Sequence, residues 1–187
     1  MVEAPARDVW AQWYLRDFPM PREALDRLSP DLAKIWETQF HSRKMRPDAS
    51  ATLEALKARG YLLGIISNTS SESQVLGTLE GYGIRRFFDC VCLSCVSGIR
   101  KPDPRIFHEA SALLGVAARH SAYVGDTVSR DVAGAKAAGY ALSFQIPSFM
   151  TGSRDAKLGP DSPKPDYVIG ELGEIVAILD GLRARAP

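Results

Sequence analysis

The 187-residue sequence has little of what would tie it to a membrane, a secreted fold or a nucleic acid. Its apolar runs break well short of the ~20 residues that cross a bilayer, so no membrane partner is expected. The first ten residues, "MVEAPARDVW", carry charges where a secretory leader carries an apolar stretch, and the expected compartment is the cytoplasm. Lys plus Arg number 23 against 22 Asp plus Glu, and no long basic block occurs. That balance excludes the electrostatic footprint of a general nucleic-acid binder. Cysteine is scarce, and the three present (Cys90, Cys92 and Cys95) sit together in "DCVCLSCVSG". Without a second Cys or His pair nearby, they read as small apolar residues of a buried strand, not as zinc ligands.

What is present is an ordinary globular composition, enough for one core or a core with a small accessory lobe. Before Pro47 the pattern is helical and holds all three tryptophans, Trp10, Trp13 and Trp36. "ARDVWAQWYLRDF" puts Val9, Trp10 and Trp13 near one helical face. "SPDLAKIWETQF" predicts a helix capped by Ser29, with Pro30 in its first turn and a stripe of Leu32, Ile35, Trp36 and Phe40. After Pro47, strands and helices alternate. "YLLGIIS", "FFDCVCLS", "SAYVG", "YALSFQIP" and the start of "DYVIGELGEIVAILDGL" read as strands, with helices between them. In "DPRIFHEASALLG", Asp103 is the expected cap and Ile106, Phe107, Ala110, Leu113 and Leu114 the inward face. The alternation predicts an α/β fold with a parallel sheet, and "PSFMTGSRDAKLGPDSPKPD" reads as a surface loop.

Ligands of open parallel sheets bind beyond the carboxyl ends of the strands. Three polar signals fall there: Ser67 and Asn68 after "GII", Lys101 after the cysteine strand, and Asp126 after "AYVG", with Asp131 five positions on. Singly, each has an ordinary explanation as a turn residue, a solvated lysine or a helix cap. Together they bring a hydroxyl, an ammonium and two carboxylates to one edge. That set suits a phosphate and a hard cation such as Mg²⁺, which takes oxygen ligands.

In this order and spacing, "ISN", "KPDPRIF" and "VGDTVSRDVAGAKAAG" resemble motifs two to four of the haloacid dehalogenase-like hydrolases, over roughly Pro47 to Leu179. The resemblance implies a Rossmann-like three-layer core over residues 47–187 and a partial helical cap over residues 1–46. It implies that Ser67 and Asn68 bind the transferring phosphoryl group and that Lys101 steadies the nucleophile and phosphate. Asp126 would ligate Mg²⁺, and Asp131 would support that site or orient Lys101. The implied substrate is a small phosphorylated metabolite; a homo-oligomer is left open.

The family's first motif, a strand ending Asp-x-Asp whose first carboxylate attacks the substrate, has no match. Of the thirteen aspartates, none is followed by another two positions later, and Asp17 lies in a helical pattern before Phe18-Pro19. The expectation is therefore a hydrolase fold lacking its nucleophile and its central strand, inactive as it stands, whose reading frame continues upstream of Met1. A complete protein would hydrolyse phosphoric esters through an aspartyl-phosphate. The alternatives are a non-catalytic phosphate- or partner-binding protein, and a dehalogenase or phosphonatase on the same frame. A phosphoacceptor receiver domain, with its acids first and lysine last, has the wrong order.

Overall fold

The computed structural model describes residues 1–40 and 44–185. The amino-terminal segment is helical. Helix α1 (Ala6–Val9) runs into a π-helical turn, Trp10–Tyr14. Helix α2 (Arg22–Ile35) runs into a second one, Trp36–Phe40. Here the helix limits differ from expectation. Helix α2 begins at Arg22, and Pro30 lies inside it. Leu25, Ser29 and Ala33, spaced four apart, are buried along one stripe. Packing of that stripe outweighs the hydrogen bond that proline removes. Trp10 is buried, but Trp13 is 61% exposed. The π turn adds a residue to the helical repeat and brings Tyr14, not Trp13, beside Trp10. Ile35 also points outward, at 55% exposure. The side chain of Phe40 lies outside the described residues.

From α3 (Ala49–Ala58) onward, helices and strands alternate. Strand β1 (Gly64–Ser67) leads to α4 (Glu72–Gly81), and β2 (Cys90–Leu93) to α5 (Ser94–Ser97) and α6 (Pro104–Leu114). Strand β3 (Ala122–Gly125) precedes a π-helical turn, Val128–Val132, and α7 (Ala133–Ala137). Strand β4 (Leu142–Gln145), α8 (Thr151–Asp155), β5 (Tyr167–Val168) and α9 (Glu174–Arg183) complete the chain. All strand pairs are parallel.

Two apolar clusters cover the two faces of the sheet. On one, Ile66, Cys90 and Cys92 pack against Ile106, Phe107 and Ala110 of α6 and Ala135 of α7. On the other, Phe144, Ile146 and Ile169 pack against Leu56 of α3 and Ile175 of α9. This is the three-layer Rossmann-like arrangement. Phe107 and Phe144 are wholly buried, each contributing roughly 2–3 kcal/mol through burial. Cys92 is 2% exposed, and burial pushes its thiol up to about 12, as suits a small apolar residue. Leu113, expected inside, is 63% exposed. Gly134 has no room for a side chain, since a Cβ there would lie 2.3 Å from the Phe107 ring.

The sheet is split. Strands β1 and β2 pair with each other, β3 to β5 form a second group, and among the described residues no ladder joins β1 to β3. Between them runs a slot of about 480 Å³, lined by Leu63, Ile66, Leu114, Tyr123, Val124 and Phe144 among others. "YLLGIIS" is consequently not covered on both sides. Leu62, on the slot wall, is 50% exposed, and Ile65 is half-buried.

Candidate active site

A polar pocket of about 490 Å³ opens at the carboxyl ends of β1 and β3. Ser67, Asn68, Lys101, Asp126 and Asp131 all line it, so the structure brings every expected site residue to one place. Trp10, Tyr14 and Trp36 of the helical segment form another wall, their ring centroids 4.6 to 6.2 Å apart.

Lys101 is the hub. Its Nζ donates to Asp131 Oδ1 at 2.7 Å and to the Tyr123 hydroxyl at 2.8 Å. The side chains of Lys101 and Asp131 are only 13% and 3% exposed. Burial works against both charges. For the lysine, the facing phenol and carboxylate outweigh it and raise the pKa. For Asp131, the lysine's charge and hydrogen bonds outweigh it, and the carboxyl lies below the usual range. The Tyr123 hydroxyl, pushed up to about 12 chiefly by burial, lies 3.3 Å from Ile66 O and 3.4 Å from Asp131 Oδ1. It stays protonated and spans the split between β3 and β1.

The remaining expected residues take distinct parts. Asn68 clasps the lysine segment: its Oδ1 accepts from Lys101 N at 2.8 Å and its Nδ2 donates to Lys101 O at 3.0 Å. Both ends of the amide are thus engaged by the Lys101 backbone, and Asn68 positions the lysine. Ser67, half-buried at the end of β1, turns toward the pocket. Asp131 Oδ2 accepts from Thr127 N at 3.0 Å and Thr127 Oγ1 at 2.6 Å. With both oxygens occupied, Asp131 orients Lys101. Its close seat requires Gly125, where a Cβ would lie 2.3 Å from that of Asp131.

Of the two expected aspartates, which share the pocket wall with Glu3 and Glu37, Asp126 is the one not engaged by Lys101. Its Oδ2 accepts from Ser148 Oγ at 2.5 Å. Thr151 Oγ1 donates to Asp126 O at 2.8 Å, and Asp155 accepts from Val128 N and Ser129 N at 2.8 and 3.0 Å. The stretch expected to be only a surface loop therefore contains α8 and straps the segment that carries both aspartates. Among the described residues no cluster of three or more His, Cys, Asp or Glu side chains forms a metal cage. A hard cation fits nonetheless in the manner of Mg²⁺, which is held by one or two carboxylates and keeps its waters. Asp126 would hold it.

Sequence reasoning missed Tyr123, Thr127, Ser148, Thr151 and Asp155. Tyr123 had one signal, a polar-tipped aromatic in an otherwise apolar strand. The others act through contacts that no local pattern announces.

A model of the haloacid dehalogenase-like hydrolases matches residues 20–139. The chain belongs to this family. Haloacid dehalogenase-like hydrolase domain-containing protein 3 of Bos taurus is 36% identical over 141 residues, 74% of this chain and 53% of its own length. The phosphoserine phosphatase of Thermus thermophilus is 34% identical over 162 residues, 82% and 61% of the two chains. A haloacid dehalogenase-like phosphatase structure from Thermococcus onnurineus superposes with a TM-score of 0.64 at 31% identity, covering 90% of this chain and 69% of that one. The chain thus spans little more than half the length of these curated relatives. Two of the relatives are named as phosphatases of phosphoserine and of glyceraldehyde 3-phosphate. Among its described residues, no helix is long and apolar enough to cross a membrane.

Proposed function

We propose that the chain carries the phosphate- and metal-binding part of a Mg²⁺-dependent phosphoric-monoester hydrolase. The observation that carries this reading is Lys101, clamped by Asp131 and Tyr123, sharing one polar pocket with Ser67 and Asp126. Ser67 would donate to a phosphoryl oxygen, Lys101 would offset its negative charge, and the helical segment before residue 47 would roof the pocket as a partial cap. Bound Mg²⁺ would supply further neutralisation of phosphate charge. The phosphoserine phosphatase among the relatives makes small phosphorylated metabolites the first substrates to try.

The reaction proceeds through an aspartyl-phosphate whose nucleophile enters on a strand seated between β1 and β3. Among the described residues no carboxylate lines that slot. The chain alone should therefore leave p-nitrophenyl phosphate intact, because losing one member of a coupled catalytic set removes most of the rate. Linked to an apolar strand ending Asp-x-Asp, it should hydrolyse the ester with Mg²⁺, and Asp126→Asn should abolish that turnover. Mg²⁺-dependent turnover by the unmodified monomer would refute the need for a further strand.

The same carboxylate-free slot favours a second reading, a non-catalytic phosphate-binding protein. Under it the strand-linked chain stays inactive while still binding inorganic phosphate. Dehalogenase and phosphonatase variants are separated by halide release from 2-chloropropionate and phosphate release from phosphonoacetaldehyde.

A further inference from the structure

Four cations line the pocket: Arg100, Lys101, Arg130 and Arg154. Two are matched within the protein. Arg100 Nη1 meets Glu3 Oε1 at 3.2 Å, and Lys101 holds Asp131. Arg130 is different. Among the described residues its side chain has no ion pair or hydrogen bond, and its Nε is buried without an acceptor. An N–H with nothing to donate to is costly and uncommon, and a guanidinium without an internal partner on a pocket wall keeps its charge available to an anionic ligand.

The backbone beneath Arg130 is held in place. It directly precedes Asp131 in the turn Val128–Val132, and Asp155 pins that turn through Val128 N and Ser129 N. The guanidinium is thus presented from the same fixed element that orients the lysine. Its planar fork suits a carboxylate or phosphate, and Arg154, also on the pocket wall, adds charge of the same sign. At about 490 Å³ the pocket has the size of a small-molecule site, well beyond a phosphate group. Its aromatic wall of Trp10, Tyr14 and Trp36 offers apolar cover for a short carbon chain.

We propose that Arg130 is the specificity determinant of this pocket, and that the ligand is a phosphomonoester with a second anionic group, carboxylate or phosphate, on a short carbon chain. The proposal rests on the phosphate-site reading above. Calorimetric titration of the chain in Mg²⁺ tests it without needing turnover. The probes are inorganic phosphate, propyl phosphate, 3-phosphooxypropanoate and propane-1,3-diyl bisphosphate.

The two doubly anionic esters should bind about 10-fold or more tighter than propyl phosphate, the range of a charge-assisted pair. Arg130→Gln should erase that advantage while leaving propyl phosphate within about 2-fold, and Arg130→Lys should restore part of it. Which doubly anionic ester binds tighter identifies the second group. Equal affinity for all three esters overturns the proposal, and this ladder needs no variant. A loss on Arg130→Gln shared by inorganic phosphate and propyl phosphate also overturns it, since Arg130 would then hold the transferring group. If inorganic phosphate itself fails to bind, the phosphate-site reading falls as well, so the two failures are distinct.

Discussion

The pocket at the strand ends and the slot inside the sheet are nearly equal in size, about 490 and 480 Å³, and opposite in character. In the pocket, Lys101, Asp131, Asn68 and Thr127 are already joined by hydrogen bonds before any ligand arrives. The slot is mostly apolar, and among the described residues no ladder joins the facing edges of β1 and β3 across it. A polar network can be completed by side chains from the two strand groups, because such contacts are directional and short. A strand ladder cannot be replaced that way, since a strand's backbone groups and alternating side chains act together. The polar pocket is therefore organised by contacts across the two strand groups, whereas the apolar slot between them is not.

The largest expected effect tests whether the pocket is held independently of the slot. Lys101→Met strands Asp131 as a buried, unpaired charge and should destabilise the chain by about 3–5 kcal/mol in urea unfolding. The exposed pair Lys57–Asp89 is the control, where Lys57→Met should cost no more than about 1 kcal/mol. A small loss at Lys101 would mean that the pocket is as loosely organised as the slot.

The same pair has a pH signature with two edges. Asp131 titrates below its ordinary 3.8, so its contribution is full above that pH and is lost as pH falls through the folded value. Lys101 titrates above its ordinary 10.5, so its contribution is full below that pH and is lost as pH rises through the folded value. In Lys101→Met, burial without the lysine raises the Asp131 carboxyl, so the stability difference from the wild type should begin to shrink on the acid side well above pH 3.8. It should be flat from about pH 7 to 9 and shrink beyond both edges. A difference that changes within the plateau would contradict this assignment of charges.

The smallest effect comes where the two regions meet, at Tyr123, whose ring lines the slot and whose hydroxyl belongs to the pocket network. Tyr123→Phe keeps the ring and removes the hydroxyl, and should cost about 1–2 kcal/mol. A loss no larger than an exposed substitution would show that the phenol does not couple the two strand groups.

Much of this was legible in the sequence, for identifiable reasons. The order of strands and helices after Pro47 follows from apolar runs punctuated by Gly and Pro, which are local signals. Ser67, Lys101 and Asp126 were legible because parallel strands deliver their carboxyl ends to one edge. The parts of Asn68 and Asp131 were less so. Asn68 looks like a ligand by residue type, and Asp131 was left between supporting the metal and orienting Lys101; the three-dimensional hydrogen bonds show both positioning Lys101. The strap from Ser148 to Asp155 was hidden because "PSFMTGSRD" has loop composition and its partners lie more than twenty residues upstream. The amino-terminal stripe failed at Trp13 because a π-helical turn changes the repeat on which the reading relied.

The split sheet also divides the chemistry. Ser67, Asn68 and Lys101 ride on the β1–β2 group, whereas Asp126 and Asp131 ride on the β3–β5 group. The separation of the groups that would hold phosphate from the carboxylate that would hold metal is therefore set by the width of the gap between two bodies. A strand seated there would act as a spacer as well as a carrier of the nucleophile. The reach from phosphate to metal becomes a property of backbone geometry, adjustable without exchanging any residue that lines the pocket.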